Sequence, residues 1–254
     1  MSKKTSHSGK KKGGIKKRPI TLIAGIILVA GLAVLGGFYL EQNTRIDDVV
    51  FTGNHFTSNG ELRESIAEIT PVGMLADSVN FGELIQSVRQ LPYVESVDLS
   101  MGFRGKLQIN VNERTPIAML VDGSKRSYIS EGGVKLPVIP EKTEDVPLLY
   151  GFNPTSEQDT LKTDAFKKVE EFLTAARDNE FGWVTISEVA WNDREGVVAL
   201  TAENGVKLMF GHSNYESSLK HWQAFYNEVI SKKGIGAFRQ IDLRFRNQVV
   251  TKEL

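Results

Sequence analysis

The 254 residues include no cysteine, which excludes a disulfide scaffold and any thiolate metal site. Histidine is scarce too: His7, His55, His212 and His221 are scattered, and the last two stand nine apart rather than at the i, i+4 spacing of a helical metal pair. Nucleophile and phosphate motifs are missing. Gly211-His-Ser213-Asn-Tyr215 fails the G-x-S-x-G pattern at its fifth position. The Gly- and Lys-rich run at 9–14 lacks both the P-loop spacing and a preceding strand. The paired carboxylates Asp47-Asp48 and Glu170-Glu171 are neighbours in sequence only, and adjacent side chains diverge on a strand or a helix. No catalytic, metal or cofactor site is therefore expected, and the chain reads as a protein other than an enzyme.

Two local absences organise the rest. Residues 1–18 carry eight Lys or Arg and no acid, leaving 23 basic against 31 acidic residues beyond them. Ile20 to Leu40 then runs 21 residues without a charge. As a helix rising about 1.5 Å per residue it reaches roughly 30 Å, the hydrocarbon thickness of a bilayer. Such a helix satisfies its own backbone in lipid, and the flanking basic residues stay on the cytoplasmic side. The expectation is a membrane helix at 20–40, a cytoplasmic basic tail at 1–19 and everything after the helix outside. A cleaved signal peptide, the alternative, has a shorter apolar core of about 7–15 residues, and residues 31–37 offer only a weak small-residue cleavage site. The basic tail lacks interleaved aromatics, so contact with anionic lipid explains it better than nucleic acid does. Gly25, Gly31, Gly36 and Gly37 form no G-x-x-x-G pair.

Beyond the anchor, residues 41–254 suffice for two modest domains or one large one. Ile46 to Phe51 is a β-prone run closed by Thr52-Gly53-Asn54. Ser58 and Glu61 match a capping box, followed by Leu62, Ile66 and Ile69 on one helical face up to Pro71. Asn80 and Glu83 open a second helix with Leu84, Ile85, Val88 and Leu91 at helical spacing. Val97, Leu99 and Met101, then Leu107, Ile109 and Val111, alternate with polar residues around a Gly-bounded link at 102–105, which predicts a hairpin. The order β-α-α-β-β puts two helices on one face of a three-stranded sheet.

The remainder, 116–254, reads as short punctuated strands with two helices. Ile117 to Val121, Tyr128 to Ser130, Val134 to Leu136, Val184 to Trp191, Val197 to Thr201 and Val206 to Phe210 are strand candidates, the last two joined through Asn204-Gly205, a type I′ hairpin signal. A helix over about 157–179 presents Phe166, Val169, Phe172, Leu173 and Ala176. A third capping box at Ser213 and Glu216 opens another, with Leu219, Trp222, Phe225, Tyr226 and Val229 as a core stripe. Gln240 to Phe245 alternates as a strand near the end.

Several strings together carry a resemblance: Phe51-Thr-Gly-Asn54, Leu91-Pro-Tyr-Val-Glu-Ser-Val97, Val111-Asn-Glu-Arg114-Thr-Pro-Ile-Ala118, Ser130-Glu-Gly-Gly133, Val146-Pro-Leu-Leu-Tyr-Gly151 and Ile241-Asp-Leu-Arg-Phe245. The chain resembles the FtsQ/DivIB family of bacterial cell-division proteins. It departs from that family at Gly102-Phe103, where relatives commonly have Trp-Pro. The resemblance implies an α+β protein with a single inner-membrane helix, a POTRA domain over 41–115 and a mostly antiparallel periplasmic β domain over 116–254. It implies a scaffold at the division septum, with FtsB and FtsL as partners and FtsK, FtsW, FtsI and FtsN as further divisome contacts, and with no nucleic acid or small-molecule substrate. Carried over by position, the partner-binding residues are Arg244, Phe245, Gln248, Val249 and Val250, with Arg194 beside them; an edge strand there can accept a further strand by β-augmentation. Phe245 and Val249 read equally well as inward-facing core. Two other readings stay open: a tethered cell-wall enzyme, and a POTRA module of outer-membrane assembly or secretion.

Overall fold

The computed structural model describes residues 25–33, 45–69, 72–152 and 160–254. Of the apolar stretch Ile20–Leu40, residues 25–33 form a helix with exposed side chains, and its other residues, with the tail at 1–19, lie outside the described ones. Among the described residues no helix is long and apolar enough to cross a membrane.

The first unit follows its local signals. β1 (Asp48–Thr52) leads to α1 (Asn59–Ser65), where the Ser58 hydroxyl accepts from the Glu61 N–H and the Glu61 carboxylate accepts from the Ser58 N–H, a complete capping box. Asn80 caps α2 (Phe81–Arg89) by accepting from the Glu83 N–H. β2 (Val94–Met101) and β3 (Lys106–Glu113) form the expected antiparallel hairpin, and β1 adds to β3 in parallel, giving the order β1-β3-β2. Leu62, Leu84 and Val88 from the helices meet Val49, Leu107, Ile109 and Val111 from the sheet in one core. α1 ends earlier than its apolar spacing predicts. From Ile66 the backbone tightens into i, i+3 bonds, Ala67 N–H to Glu64 and Ile69 N–H to Ile66, so Ile69 packs from a turn.

The second unit is built on one nine-stranded sheet. Its strands are β4 (Pro116–Asp122), β5 (Lys125–Ser130), β6 (Lys135–Leu136), β7 (Leu148–Tyr150), β8 (Ile186–Asn192), β9 (Gly196–Thr201), β10 (Lys207–Gly211), β11 (Phe238–Asp242) and β12 (Val250–Glu253). They lie in the order β12-β11-β10-β9-β8-β7-β4-β5-β6. Pairs β10/β11, β4/β7 and β7/β8 are parallel and the other five antiparallel, so the sheet is mixed with an antiparallel majority. Its helices are α3 (Asp164–Arg177), α4 (Glu180–Thr185) and α5 (Tyr215–Phe225), the last continued by a π-helical stretch at Tyr226–Ile230. The stripes of α3 and α5 are core: Val169, Phe172, Leu219 and Trp222 are fully buried against the sheet.

Four local expectations change here. α3 starts at Asp164 because the Thr163 hydroxyl caps the Phe166 N–H; residues 157–159 lie outside the described ones. Val184 and Thr185 end a helix rather than start a strand. Asn204 and Gly205 both take the positive φ of a type I′ turn, 60° and 59°, yet the connection is longer and closes where the Thr201 N–H meets the Val206 carbonyl. The capping box at Ser213 does not form. Asn214 precedes the helix in a left-handed conformation (φ 62°) without a side-chain cap, while Tyr215 is drawn into the core against Phe172. Burial of an aromatic ring outweighs a cap of about 1 kcal/mol.

The units meet through a third cluster, where Phe56 stacks on Tyr93 at 4.3 Å and both pack with Tyr128 and Leu136. Tyr93 donates to the Pro137 carbonyl at 2.5 Å, and the Lys142 ammonium donates to the carbonyls of His55 and Phe56 at 2.7 and 2.9 Å. On the other side of that loop the Glu113 carboxylate accepts from the N–H groups of His55, Phe56 and Thr57, each at 2.7 Å.

Candidate partner-binding edge

β12 is the outermost strand of the large sheet. It pairs antiparallel with β11 through Asp242–Val250, Ile241–Thr251 and Gln240–Lys252, with a bulge before Phe238–Glu253. No described strand lies along its other side. The strand is held to its end: Leu254 donates to the Ala237 carbonyl at 3.2 Å and Lys233 pairs with Glu253 at 2.8 Å. One row of its backbone groups therefore faces outward from a fixed strand, the requirement for adding a further strand.

The predicted strand Gln240–Phe245 is shorter than its alternation suggests. β11 stops at Asp242 and the chain leaves the sheet, so Arg244, Phe245, Gln248 and Val249 sit in the connection to β12 and Val250 alone of the expected site residues is on the edge strand. The connection divides its side chains. Phe245 and Val250 are each 43% exposed, Gln248 is exposed, and Val249 packs against the main core. The two readings weighed for Phe245 and Val249 thus resolve oppositely.

Arg244 is occupied. Its Nε and Nη2 donate to the two carboxylate oxygens of Asp242 at 2.8 and 2.5 Å, and its own N–H donates to Oδ1 at 3.1 Å. This fork, foremost, holds the guanidinium above its ordinary pKa. The Asp242 side chain is 8% exposed and that of Arg244 35%, so the pair is buried at the acid and half-open at the base. Asp242 is the residue that sequence reasoning missed. Positions 242 and 244 share a face of an extended chain, and that parity is the signal that could have linked them.

Arg194 lies at the same end of the sheet. It occupies the β8–β9 turn, where the Asn192 Oδ1 accepts from the N–H groups of Arg194 and Glu195. That turn presses on the end of β10: a Cβ on Gly196, at φ 77°, would stand 2.2 Å from the Gly211 backbone. Gly211 in turn lies under the aliphatic part of Arg244, 3.1 Å from the Arg244 Cγ to a Cβ built there. The side chain of Arg194 is exposed and makes no hydrogen bond among the described residues, whereas Glu195 pairs with Lys207 at 2.6 Å.

The hollows elsewhere have a different character. One of about 740 Å³ between α3 and α5 is lined by Glu170, Glu171, Asp178 and Glu216, and one of about 780 Å³ by Glu64, Glu68 and Glu83 beside α1 and α2. In the first, Glu170 accepts from the Gly132 N–H and Glu171 from Lys168, so the adjacent acids point to separate partners. His212 faces Trp191 and the Asp193 carbonyl; His7 lies outside the described residues. Among the described residues no group of His, Asp or Glu is arranged to hold a metal.

Known proteins match along the whole length of both units. A family profile described as "FtsQ/DivIB, C-terminal related" matches residues 115–252, and one described as "POTRA domain, FtsQ-type" matches 44–114. Cell division protein FtsQ of Rhodothermus marinus is 27% identical over 98% of this chain and 92% of its own length. FtsQ of Salinibacter ruber is 27% identical over 89% and 90%. A solved structure of the major extracytoplasmic domain of DivIB from Geobacillus stearothermophilus matches with 18% identity and a TM-score of 0.32, covering 48% of this chain and 98% of that one. The profile over 115–252 takes in more than half of the sequence, and the chain belongs to the FtsQ/DivIB family of bacterial cell-division proteins.

Proposed function

We propose that this protein is a single-pass inner-membrane scaffold of the division septum that docks the FtsB–FtsL complex by adding a strand of FtsB to the open side of β12. Family membership makes it a non-enzymatic cell-division protein; the partners and location are the proposal. The observation that carries it is the fixed edge strand, whose outer backbone row faces outward beside Phe245 and Val250. Main-chain pairing would supply register, and the two exposed apolar side chains would supply anchors. Arg194 and Gln248 would contact the partner at the rim. FtsK, FtsW, FtsI and FtsN would meet other faces of the scaffold. The apolar stretch Ile20–Leu40 would hold both units on the periplasmic side, with residues 1–19 in the cytoplasm.

The test joins Phe245→Ala with Val250→Glu. Both side chains are 43% exposed, so the unfolding midpoint should hold while affinity for purified FtsB–FtsL falls at least tenfold, as for the loss of a central anchor of about 2 kcal/mol. Unchanged affinity for a folded variant would sink the assignment.

A further inference from the structure

Outside the segment 25–33, the large exposed apolar side chains among the described residues form two groups, with Val184 apart. Phe245, Val250 and Leu254 belong to the edge just described. Val72, Met101 and Phe103, exposed by 63%, 40% and 86%, belong to one end of the first unit. Topology decides which end. β1 and β3 are parallel, so both begin at the β2–β3 turn, and the chain joins the unit beside that turn. Asp47 donates to the Gly105 carbonyl at 2.9 Å, while on the opposite flank Ile46 exchanges hydrogen bonds with Gly73 and Met74 and the Arg45 guanidinium donates to the Gly73 carbonyl. The incoming strand is sandwiched between Phe103's turn and Val72's segment.

The turn is shaped to hold Phe103 outward. Arg104 takes φ 59°, a conformation L side chains rarely adopt, and a Cβ on Gly105 would stand 2.0 Å from the Arg45 carbonyl. The Arg104 guanidinium lies 5.4 Å from the Phe103 ring centre, so the ring carries its own cation. Four residues, 41–44, separate Leu40 from Arg45. At no more than about 3.6 Å per residue, this leash keeps Arg45 within roughly 18 Å of the end of the apolar stretch.

We propose that this end of the first unit is a membrane-interface contact, in which Phe103 and Val72 enter the headgroup layer of an anionic bilayer and Arg104 and Lys106 face its phosphates. The inference rests on the anchoring role proposed for Ile20–Leu40. Exposed apolar side chains such as Phe103 and Val72 gain by leaving water for the headgroup–acyl boundary, and nearby basic side chains are drawn to anionic lipid. Asp47 and Asp48 adjoin the basic residues, with Asp48 in register with Lys106, so apolar insertion supplies most of the hold. The contact fixes the tilt of the first unit on the membrane, and through the Phe56–Tyr93–Tyr128 junction it orients the second unit and its edge strand.

The test is the full chain carrying Phe103→Trp, reconstituted into phosphatidylglycerol–phosphatidylethanolamine vesicles with brominated acyl chains. The three native tryptophans, Trp183, Trp191 and Trp222, all belong to the second unit, so the unsubstituted chain supplies the background. Emission added by the new tryptophan should be blue-shifted and lost on bromination. Added emission that is quenched by aqueous acrylamide but unchanged by bromination overturns the inference. Carbonate extraction of the same vesicles separates the two levels: a chain retained in the bilayer without bromine quenching overturns this contact alone, and a chain released by carbonate overturns the anchor and the contact together.

Discussion

Replacing Arg244 by methionine should cost more than its exposure suggests. The guanidinium makes a two-pronged bond to Asp242 at 2.8 and 2.5 Å, and the two partners differ in exposure, 35% for the base against 8% for the acid. Arg244→Met strands a carboxylate where water scarcely reaches, with the Arg244 N–H as its remaining partner. Breaking a buried pair from this side costs about 3 kcal/mol. Asp242→Asn keeps an acceptor for that N–H and leaves a guanidinium that solvent can hydrate, for a cost of about 1 kcal/mol. The double variant removes both charges, so it should be more stable than Arg244→Met alone by about 1–2 kcal/mol. Urea unfolding followed by tryptophan emission reads this directly, because every tryptophan lies in the second unit and Trp222 is fully buried. Equal costs for the two single variants, or a double variant weaker than Arg244→Met, would refute the reasoning. By the same geometry a charge reversal at Arg244 would set two carboxylates face to face and confound binding with folding, which substitutions at Phe245 and Val250 avoid.

Glu113→Gln should loosen the 55–57 loop, because an amide keeps one acceptor oxygen where the carboxylate serves three N–H groups at 2.7 Å. A loss of about 1.5–3 kcal/mol is expected for charge-assisted bonds, seen as faster hydrogen exchange at Thr57; unchanged exchange would count against the loop's dependence on this acid. Alkaline titration tests Tyr215, whose phenol is pushed up to about 12, first by burial and then by Glu171. The folded state holds this proton longer than the unfolded chain, so the stability linked to it is complete below about pH 10 and is lost as pH rises through 12. Tyr215→Phe should remove the tyrosine step near pH 12 in absorbance at 295 nm, leaving the later step of Tyr93, whose phenol burial pushes higher still, and raise the pH of alkaline unfolding; an unmoved midpoint would contradict that linkage.

The sequence by itself determined what is local. The Ser58–Glu61 box, the Asn80 cap, the alternation of β2 and β3 and the apolar stripes of α3 and α5 all appear where spacing puts them, because each depends on residues within one or two turns of one another. It also carried the family pattern from which the proposed partner site on the last strands was drawn. Tertiary structure decided the rest. Tyr215 forgoes the Ser213 cap because its ring is buried against Phe172, and Ser65 ends α1 where the chain tightens. It turned Val249 into the core and Phe245 out of it, although both follow the same strand by a few residues. It spent the charge of Arg244 on Asp242, and it set Phe103 beside the point where the chain joins the first unit, more than fifty residues away in sequence. Which face of a connection is wet, and which charge already has a partner, depends on neighbours that only folding brings near.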